Sequence, residues 1–256
     1  MFKDEYQAAG NAGVAKLNLL KKNPVGYFVS AMVAGLFIAF GSFISITLAQ
    51  SVSAGGAASF VKFAQSASFA AALSLIVMAG AELFTGNNFI MTAASLTRKV
   101  SWMDTVKLWV FCWIGNLVGS LLSVVAFQLT GIPTASENAV GDYFIKVSLG
   151  KVGLTPVNMI FRAILCNILV CLAVWCGVKL KSESGKLIMI FWCILVFMVC
   201  GLEHSIADMS IIGVALVNGG VSIGQYVYAI LLATFGNMIG GAVFVALPYY
   251  VVAKEK

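Results

Sequence analysis

Three ionisable side chains, Glu203, His204 and Asp208, stand close together inside a long apolar stretch of the chain. His204 is the only histidine, and an imidazole titrates near physiological pH, so this group could bind a small ion or carry a proton. Ionisable groups inside a hydrophobic span are costly and are taken as functional by default. A structural role is equally open: the carboxylates could satisfy backbone groups where a helix is interrupted, with His204 filling a polar gap.

This stretch has a counterpart earlier in the chain. Gly80–Asn87 aligns with Gly201–Asp208, matching Gly with Gly, Glu with Glu and Asn with Asp at an offset of 121 residues. At the same offset, Gly115–Gly119 aligns with Gly236–Gly240. A constant offset across two separate motifs indicates a tandem repeat. Both glycine motifs have small residues four apart, which should let the third and sixth spans approach closely.

The composition indicates an integral membrane protein. Of the 256 residues, 61% are hydrophobic and 10% charged, and the mean hydropathy is +0.98. The net charge of +6 does not indicate nucleic-acid binding, because the basic residues cluster in short loops between apolar spans. All six cysteines lie within apolar spans and lack the spacing of a zinc site or a disulfide framework, so no metal or other cofactor is expected.

The order of polar and apolar segments predicts two parts. Residues 1–22 predict an amphipathic helix at the membrane interface, or equally a helix packed on the periphery of the protein. Residues 23–256 predict a single transmembrane domain. Its six spans lie at about residues 25–50, 63–97, 108–131, 156–177, 187–218 and 223–253. The second and fifth exceed the roughly 20 residues of a simple crossing and carry polar clusters near their middles, so we expect broken helices there.

The charges of the loops predict the orientation of these spans. Twelve of the sixteen Lys and Arg residues fall on one side of the six-span arrangement and three on the other. The positive-inside rule therefore places both termini in the cytoplasm, in a multi-pass protein of the inner (plasma) membrane. The repeats, at about residues 23–131 and 154–253, each hold three spans, an odd number. The expected fold is all-α, with six transmembrane helices in two inverted three-helix repeats.

Inverted repeats with interrupted helices indicate a substrate path between the halves. A half-helix that starts in mid-membrane directs free N–H groups and its positive dipole end at that path, which favours anions. Ser205 and Asp208 have the spacing of a capping box, and Thr85 and Asn88 offer similar chemistry at the other break.

Glu82 and Glu203 occupy equivalent repeat positions and are expected to secure the two irregular links. A carboxylate metal site of the kind found in helix bundles is a weaker interpretation, because a single histidine supplies too few ligands.

On these motifs the chain resembles the formate/nitrite transporter family. The resemblance rests on Gly80–Thr85, Gly201–Met209, Cys171–Trp175 and Gly236–Gly241 and extends over essentially the whole chain. It implies an aquaporin-like protomer of six helices in a homopentamer. Each protomer would contain one pore for small monovalent anions and their conjugate acids.

The resemblance also implies roles for particular residues. In this chain the matching positions are His204 and Thr85 at the pore centre, Asn167 and Val170 along the pore, Leu73 with Phe69 at the cytoplasmic constriction, Phe197 at the periplasmic constriction, and Lys151 as an anion-attracting vestibule lysine. The family's formate channels usually have Asn where this chain has Asp208. That departure, with Glu82, favours the hydrosulfide branch, while formate and nitrite stay possible.

Two other function classes are consistent with parts of the sequence. A neutral-solute channel of the aquaporin or ammonia type shares broken helices, but the chain has neither Asn-Pro-Ala motifs nor a pair of pore histidines. An intramembrane enzyme of the rhomboid type would need a Gly-x-Ser-Gly segment to pair with His204, and the sequence has none. We therefore expect a transport protein and not an enzyme.

Overall fold

The computed structural model describes residues 1–254, and the regular structure of those residues is helical throughout. Glu255 and Lys256, part of the predicted cytoplasmic C terminus, lie outside the described residues. The α-helices are α1 (Lys3–Lys22), α2 (Pro24–Ala54), α3 (Val61–Leu75), α4 (Phe84–Leu96), α5 (Trp102–Leu129), α6 (Ala135–Val152), α7 (Pro156–Lys179), α8 (Glu183–Val199), α9 (Ser205–Val217), α10 (Ile223–Gly241) and α11 (Leu247–Ala253). The predicted all-α class is confirmed.

Five helical stretches of the described residues are long and apolar enough to cross a membrane. They are Pro24–Ala54, Ala58–Gly80, Trp102–Leu129, Pro156–Lys179 and Ile223–Ala253. The segment predicted as a broken fifth span consists of α8 and α9, with 17 and 13 residues. Each is shorter than the roughly 20 residues of a full crossing. The chain is a helical, multi-pass membrane protein.

The helices α2 and α7 begin in the same way. The side chains of Asn23 and Thr155 each accept a backbone N–H three residues further on, and a proline occupies the next position. Proline is favoured at the start of a helix because its missing N–H would have no partner there. The two starts are 132 residues apart, so the sequence similarity between the halves extends to local structure.

Two segments leave helical geometry inside the protein. After α3 the chain makes a π-helical turn, Ile76–Gly80, and an extended stretch at 81–83 before α4 begins. Residues 200–204 connect α8 to α9. Gly80 and Gly201 have φ angles of +82° and +67°, which glycine adopts without the steric cost of a Cβ atom.

The repeated glycine motifs pack spans of the same half together. A methyl group on Gly115 would lie 2.5 Å from Cβ of Ala31 in α2, and one on Gly236 would lie 2.6 Å from Cβ of Ala163 in α7. The interpretation that these motifs join α5 closely to α10 is therefore wrong. The spacing places two glycines on one stripe of a helix, but it does not determine which neighbour that stripe contacts.

The N-terminal helix α1 packs on the protein through small and aromatic residues. Tyr6 donates a hydrogen bond of 2.9 Å to the carbonyl oxygen of Ala246, and a methyl group on Gly13 would lie 2.6 Å from Cβ of Ala94 in α4. Tyr6, Ala9, Gly10, Gly13 and Leu17 are buried. One face of α1 is thus covered by the rest of the chain.

Candidate functional site

Asn116 in α5 holds the link that precedes α4. Its Oδ1 accepts the backbone N–H of Phe84 at 2.9 Å, and its Nδ2 donates to the carbonyl oxygens of Ala31 at 2.7 Å and Glu82 at 2.8 Å. Buried backbone outside a helix needs such partners because no water is available in the hydrocarbon region. The fully buried amide of Asn116 supplies two of them, for Glu82 and Phe84, and ties the link to Ala31 of α2.

Asn237 in α10 does the same for the link that precedes α9. Its Oδ1 accepts the N–H of Ser205 at 2.9 Å, and its Nδ2 donates to the carbonyl oxygens of Ala163 at 2.8 Å and Glu203 at 3.0 Å. In the sequence, Asn116 and Asn237 stand only as members of the two glycine motifs, and this role was not predicted. The feature that could have revealed it is an asparagine at the same position of both motifs, which are otherwise apolar.

His204 ends the second link, directly before α9. Its Nδ1 accepts the backbone N–H of Ala207 at 3.1 Å, so His204 is the N-cap of α9. Because a backbone N–H can only donate, Nδ1 carries no proton and the neutral ring holds its proton on Nε2. Nε2 lies 3.0 Å from Oγ1 of Thr85, which therefore accepts this hydrogen bond. The Thr85 hydroxyl keeps its own proton to donate to another acceptor.

The capping box predicted for Ser205 and Asp208 does not form. Ser205 Oγ has no hydrogen-bond partner in the part of the chain that the structure describes, and His204 supplies the cap in its place. At the other break, α4 has no side-chain cap; Thr85 contacts His204, and Asn88 Oδ1 accepts a hydrogen bond from α7. At α9 the extended His204, directly before the expected cap Ser205, reaches the free N–H groups first, whereas α4 is preceded by an extended Leu83 that has no polar side chain to cap it.

Two cavities reach into the protein on either side of this pair. The first, which we call the Lys16 cavity, has a volume of about 390 Å³ and is lined by residues that include Lys16, Ser30, Leu73, Gly80, Glu82 and Gly86. The second, the Lys151 cavity, has a volume of about 280 Å³, and its lining includes Lys62, Gln65, Lys151, Arg162, Phe197, Glu203, His204 and Asp208. The Lys16 cavity is lined by Gly86, which directly follows Thr85, and the Lys151 cavity is lined by His204 itself. Each cavity therefore reaches the Thr85–His204 pair or its direct neighbour.

Buried apolar side chains lie next to the pair. Leu73 contributes to the lining of the Lys16 cavity and Phe197 to that of the Lys151 cavity. The ring of Phe69 meets Phe197 edge-on at 5.9 Å between centroids, and Phe197 stacks against His204 at 6.1 Å. His204, a polar side chain that could bind an ion, thus lies beside the apolar ring of Phe197, which cannot solvate an ion.

Lys16 of α1 forms a charged cluster in the first cavity. Its Nζ lies 2.7 and 2.8 Å from the two carboxylate oxygens of Glu82. Glu82 also accepts hydrogen bonds from Tyr27 Oη at 3.1 Å and Asn87 Nδ2 at 3.0 Å. From the sequence, Lys16 was predicted only to be one of the N-terminal positive charges that set the orientation in the membrane. Only the tertiary position of α1 distinguishes it from the neighbouring lysines.

Lys151 of α6 forms the corresponding cluster in the second cavity. Its Nζ bonds Glu203 Oε2 and lies 2.8 Å from Asp208 Oδ1. Lys151 lies in α6, which is not one of the candidate spans. Burial alone would lower the pKa of its ammonium group, but the carboxylates of Asp208 and Glu203 raise it to a net value above the usual one. Lys151 is therefore a charged group held between two carboxyl side chains.

Asn167 and Val170 take positions in the packed interior. Asn167 Nδ2 donates to the carbonyl oxygens of Thr85 at 3.2 Å and Asn237 at 2.6 Å and to Asn88 Oδ1 at 3.1 Å. It thereby ties α7 to α4 and α10. Val170 is buried in the hydrophobic core. Neither residue is part of the described lining of the two cavities.

Comparison with known proteins identifies the family. Residues 3–251 match the model of the formate/nitrite transporter family. The chain is 38% identical to a probable formate transporter of Methanothermobacter thermautotrophicus, over 70% of this chain and 71% of the relative. It is 31% identical to the nitrite transporter NirC of Escherichia coli (strain K12), over 98% of this chain and 92% of the relative.

Solved structures agree with the sequence comparison. A structure described as an FNT family ion channel superimposes on this protein with a TM-score of 0.91 at 27% sequence identity. The match covers 99% of this chain and 100% of that channel's chain. A pentameric formate channel with formate bound gives a TM-score of 0.76 at 27% identity, with 91% and 98% covered. These relatives are transporters and channels, not enzymes. The chain is a membrane transport protein that belongs to the formate/nitrite transporter family.

Proposed function

We propose that this protein is a channel for small monovalent anions of weak acids. The path runs from the Lys16 cavity past Leu73 to Thr85 and His204, and then past Phe197 into the Lys151 cavity. The observation that carries this proposal is the 3.0 Å contact between Thr85 and His204, with a cavity on each side of it. The two residues stand at the starts of α4 and α9, so helix ends converge there from both halves of the chain.

The helix starts favour a negative charge at this point. The first N–H groups of an α-helix have no carbonyl partner within the helix, and the dipole adds a partial positive charge. The Thr85 hydroxyl, whose oxygen is occupied by His204 Nε2–H, presents its proton as a further donor. An anion between the cavities would therefore meet the hydroxyl proton of Thr85 and the positive ends of two helices, which would favour anions over cations at this point.

The apolar neighbours limit passage of a bare ion. An isolated charge in an apolar environment loses hydration free energy worth several kcal/mol or more. A weak-acid anion avoids much of this cost if it takes up a proton that comes from water of one cavity, passes Leu73 or Phe197 as the neutral acid, and returns the proton to water of the other cavity. We propose that His204 passes this proton on. Because its cap to Ala207 holds the ring neutral, His204 must first take a proton from water before it gives one to the anion.

The relatives and two acidic residues of the chain support a particular class of substrate. The relatives named for a substrate are formate and nitrite transporters or channels. Asp208, together with Glu82, favours hydrosulfide as the permeant ion, with formate and nitrite as the other members of the class. A liposome flux assay that compares hydrosulfide, formate, nitrite and water tests the proposal. Water permeation without anion flux would support a neutral-solute channel and overturn it.

For the assembly we propose a homopentamer of inverted-repeat protomers, each with its own pore and its lipid-facing surface in the plasma (inner) membrane. The pentameric formate channel with its TM-score of 0.76 supports this arrangement. The loop charges support cytoplasmic termini, with α1 at the cytoplasmic interface and the transmembrane channel domain following from residue 23. The Lys16 cavity would then face the cytoplasm and the Lys151 cavity the opposite side.

A further inference from the structure

Lys151 alone does not make its cavity attractive to anions. It is paired with two carboxylates, and the side chains of Glu203 and Asp208 are only 4% and 0% exposed. With a carboxyl group of Glu203 and one of Asp208 beside it, the charge of Lys151 is already compensated at short range. Any anion affinity of this cavity therefore comes from other groups.

Two further cations line the same cavity. Lys62 comes from the first turn of α3 and Arg162 from the second turn of α7. Arg162 Nη1 donates to the carbonyl oxygen of Gly201 at 3.4 Å, and a methyl group on Gly201 would lie 3.7 Å from Lys62 Nζ. Both cations thus converge on the link before His204. Neither has a carboxylate within ion-pair distance among residues 1–254.

The opposite cavity has no such pair. The backbone N–H of Glu203 bonds the carbonyl oxygen of Arg162 at 3.5 Å, and the N–H of Glu82 bonds that of Ser30 at 3.3 Å. Ser30 is therefore the repeat equivalent of Arg162, and it lines the Lys16 cavity. At the 121-residue offset, the equivalent of Lys62 is Glu183, an exposed acid at the start of α8. The charged lining of the Lys16 cavity is one lysine and one glutamate, whereas the Lys151 cavity has three cations and two carboxylates.

We infer that Lys62 and Arg162 form a second anion site, at the mouth of the Lys151 cavity, which captures the permeant anion before it reaches His204. The inference rests on the proposed channel function and adds an asymmetry to it, since only one of the two entrances carries this site. The guanidinium of Arg162 can hold two oxygens of a planar oxyanion at once, whereas hydrosulfide offers one acceptor atom.

The test is anion uptake into right-side-out and inside-out membrane vesicles that contain the full chain. The variants are Arg162→Ser, which installs the residue of the other half, and Lys62→Gln. Lys146→Gln is the control, because it removes one positive charge from α6 outside the cavity. We expect the half-saturating concentration to rise by about threefold for each cavity variant, with maximal flux changed less than twofold. The rise should occur only in the vesicles whose Lys151 cavity faces the added anion, and it should shrink in high salt.

Two more variants keep the result interpretable if Arg162→Ser assembles poorly. Arg162→Lys preserves charge but not the planar fork, so half-saturation should rise more for formate and nitrite than for hydrosulfide. Ser30→Arg adds the missing cation to the other entrance and should lower half-saturation from that side. Three results would overturn the second site. The half-saturating concentration could be the same in wild type and both cavity variants, Lys146→Gln could raise it as much as they do, or it could rise equally in both vesicle orientations. Absence of anion flux in the wild type would instead overturn the proposed channel function.

Discussion

Trp113 and Thr234 touch each other although they occupy equivalent positions of the two repeats. Trp113 Nε1 donates a hydrogen bond of 3.0 Å to Thr234 Oγ1, and the two residues are 121 positions apart. Two equivalent residues can be in contact only where they lie close to the axis that relates the two copies. This contact supports the proposed two-fold arrangement and locates its axis between α5 and α10. Thr85 and His204 are not equivalent positions, since they are 119 residues apart, but they also bring the two halves of the chain into contact.

The first prediction concerns Asn237. Replacement by alanine leaves the buried N–H of Ser205 and the carbonyl oxygen of Glu203 without this partner, at a cost of about 1–3 kcal/mol for each orphaned group. We expect Asn237→Ala, and Asn116→Ala in the other half, to lower the thermal unfolding midpoint of the purified protein strongly. Asn18→Ala is the control, because Asn18 is exposed on α1. Equal midpoints for all three variants would show that these asparagines do not hold the links.

A second prediction concerns the pair between Lys16 and Glu82. Removal of one charged side chain from a largely buried ion pair leaves the other charge without compensation, whereas removal of both charges destabilises a protein less. Lys16→Met should therefore loosen α1 and make it more sensitive to protease, and the added Glu82→Gln should restore much of the resistance. Lys22→Met, at an exposed position, is the control. A double variant as labile as Lys16→Met would contradict this coupling.

The packing of α10 on α7 gives a third prediction. A methyl group on Gly240 would overlap the carbonyl oxygen of Ile164, so Gly240→Ala should cost about 1–3 kcal/mol through overpacking. In the same helix, the nearest atom to a methyl group on Gly224 would be Ser222 Oγ at 3.8 Å. Gly224→Ala should change stability by less than about 0.5 kcal/mol. Unfolding in detergent with added denaturant distinguishes the two, and equal stabilities would argue against close packing here.

Much of this architecture was accessible from the sequence. The apolar composition predicted a helical membrane protein, which the structure and the family comparison confirm. This prediction succeeded because hydropathy is a property of the chain itself. The shared 121-residue offset predicted two inverted halves, and the resemblance predicted Thr85 and His204 at the centre of a pore. The structure has these two side chains 3.0 Å apart, and their role at a pore, like the inverted repeat, stays a prediction. The roles assigned to Leu73, Phe69 and Phe197 stay predictions.

Other features depended on tertiary contacts that no local pattern contains. The glycine motifs face α2 and α7 because of how each half folds, and helical spacing cannot specify that neighbour. His204 caps α9 because the preceding link is extended, which displaced the capping box expected from Ser205 and Asp208. Lys16 looks like the other N-terminal lysines in sequence, and only the docking of α1 brings it to Glu82.

In the proposed channel, a neutral His204 and the hydroxyl of Thr85 bind the anion between the two cavities. Thr85→Val removes the hydroxyl at nearly constant shape, and His204→Asn removes the imidazole while keeping a residue that caps helices well. The most direct test is formate, nitrite and hydrosulfide flux through wild type and both variants, in liposomes between about pH 5 and 8. We predict at least tenfold lower flux for Thr85→Val and a changed pH dependence for His204→Asn. Wild-type rates in Thr85→Val, together with an unaltered pH profile in His204→Asn, would contradict the claim.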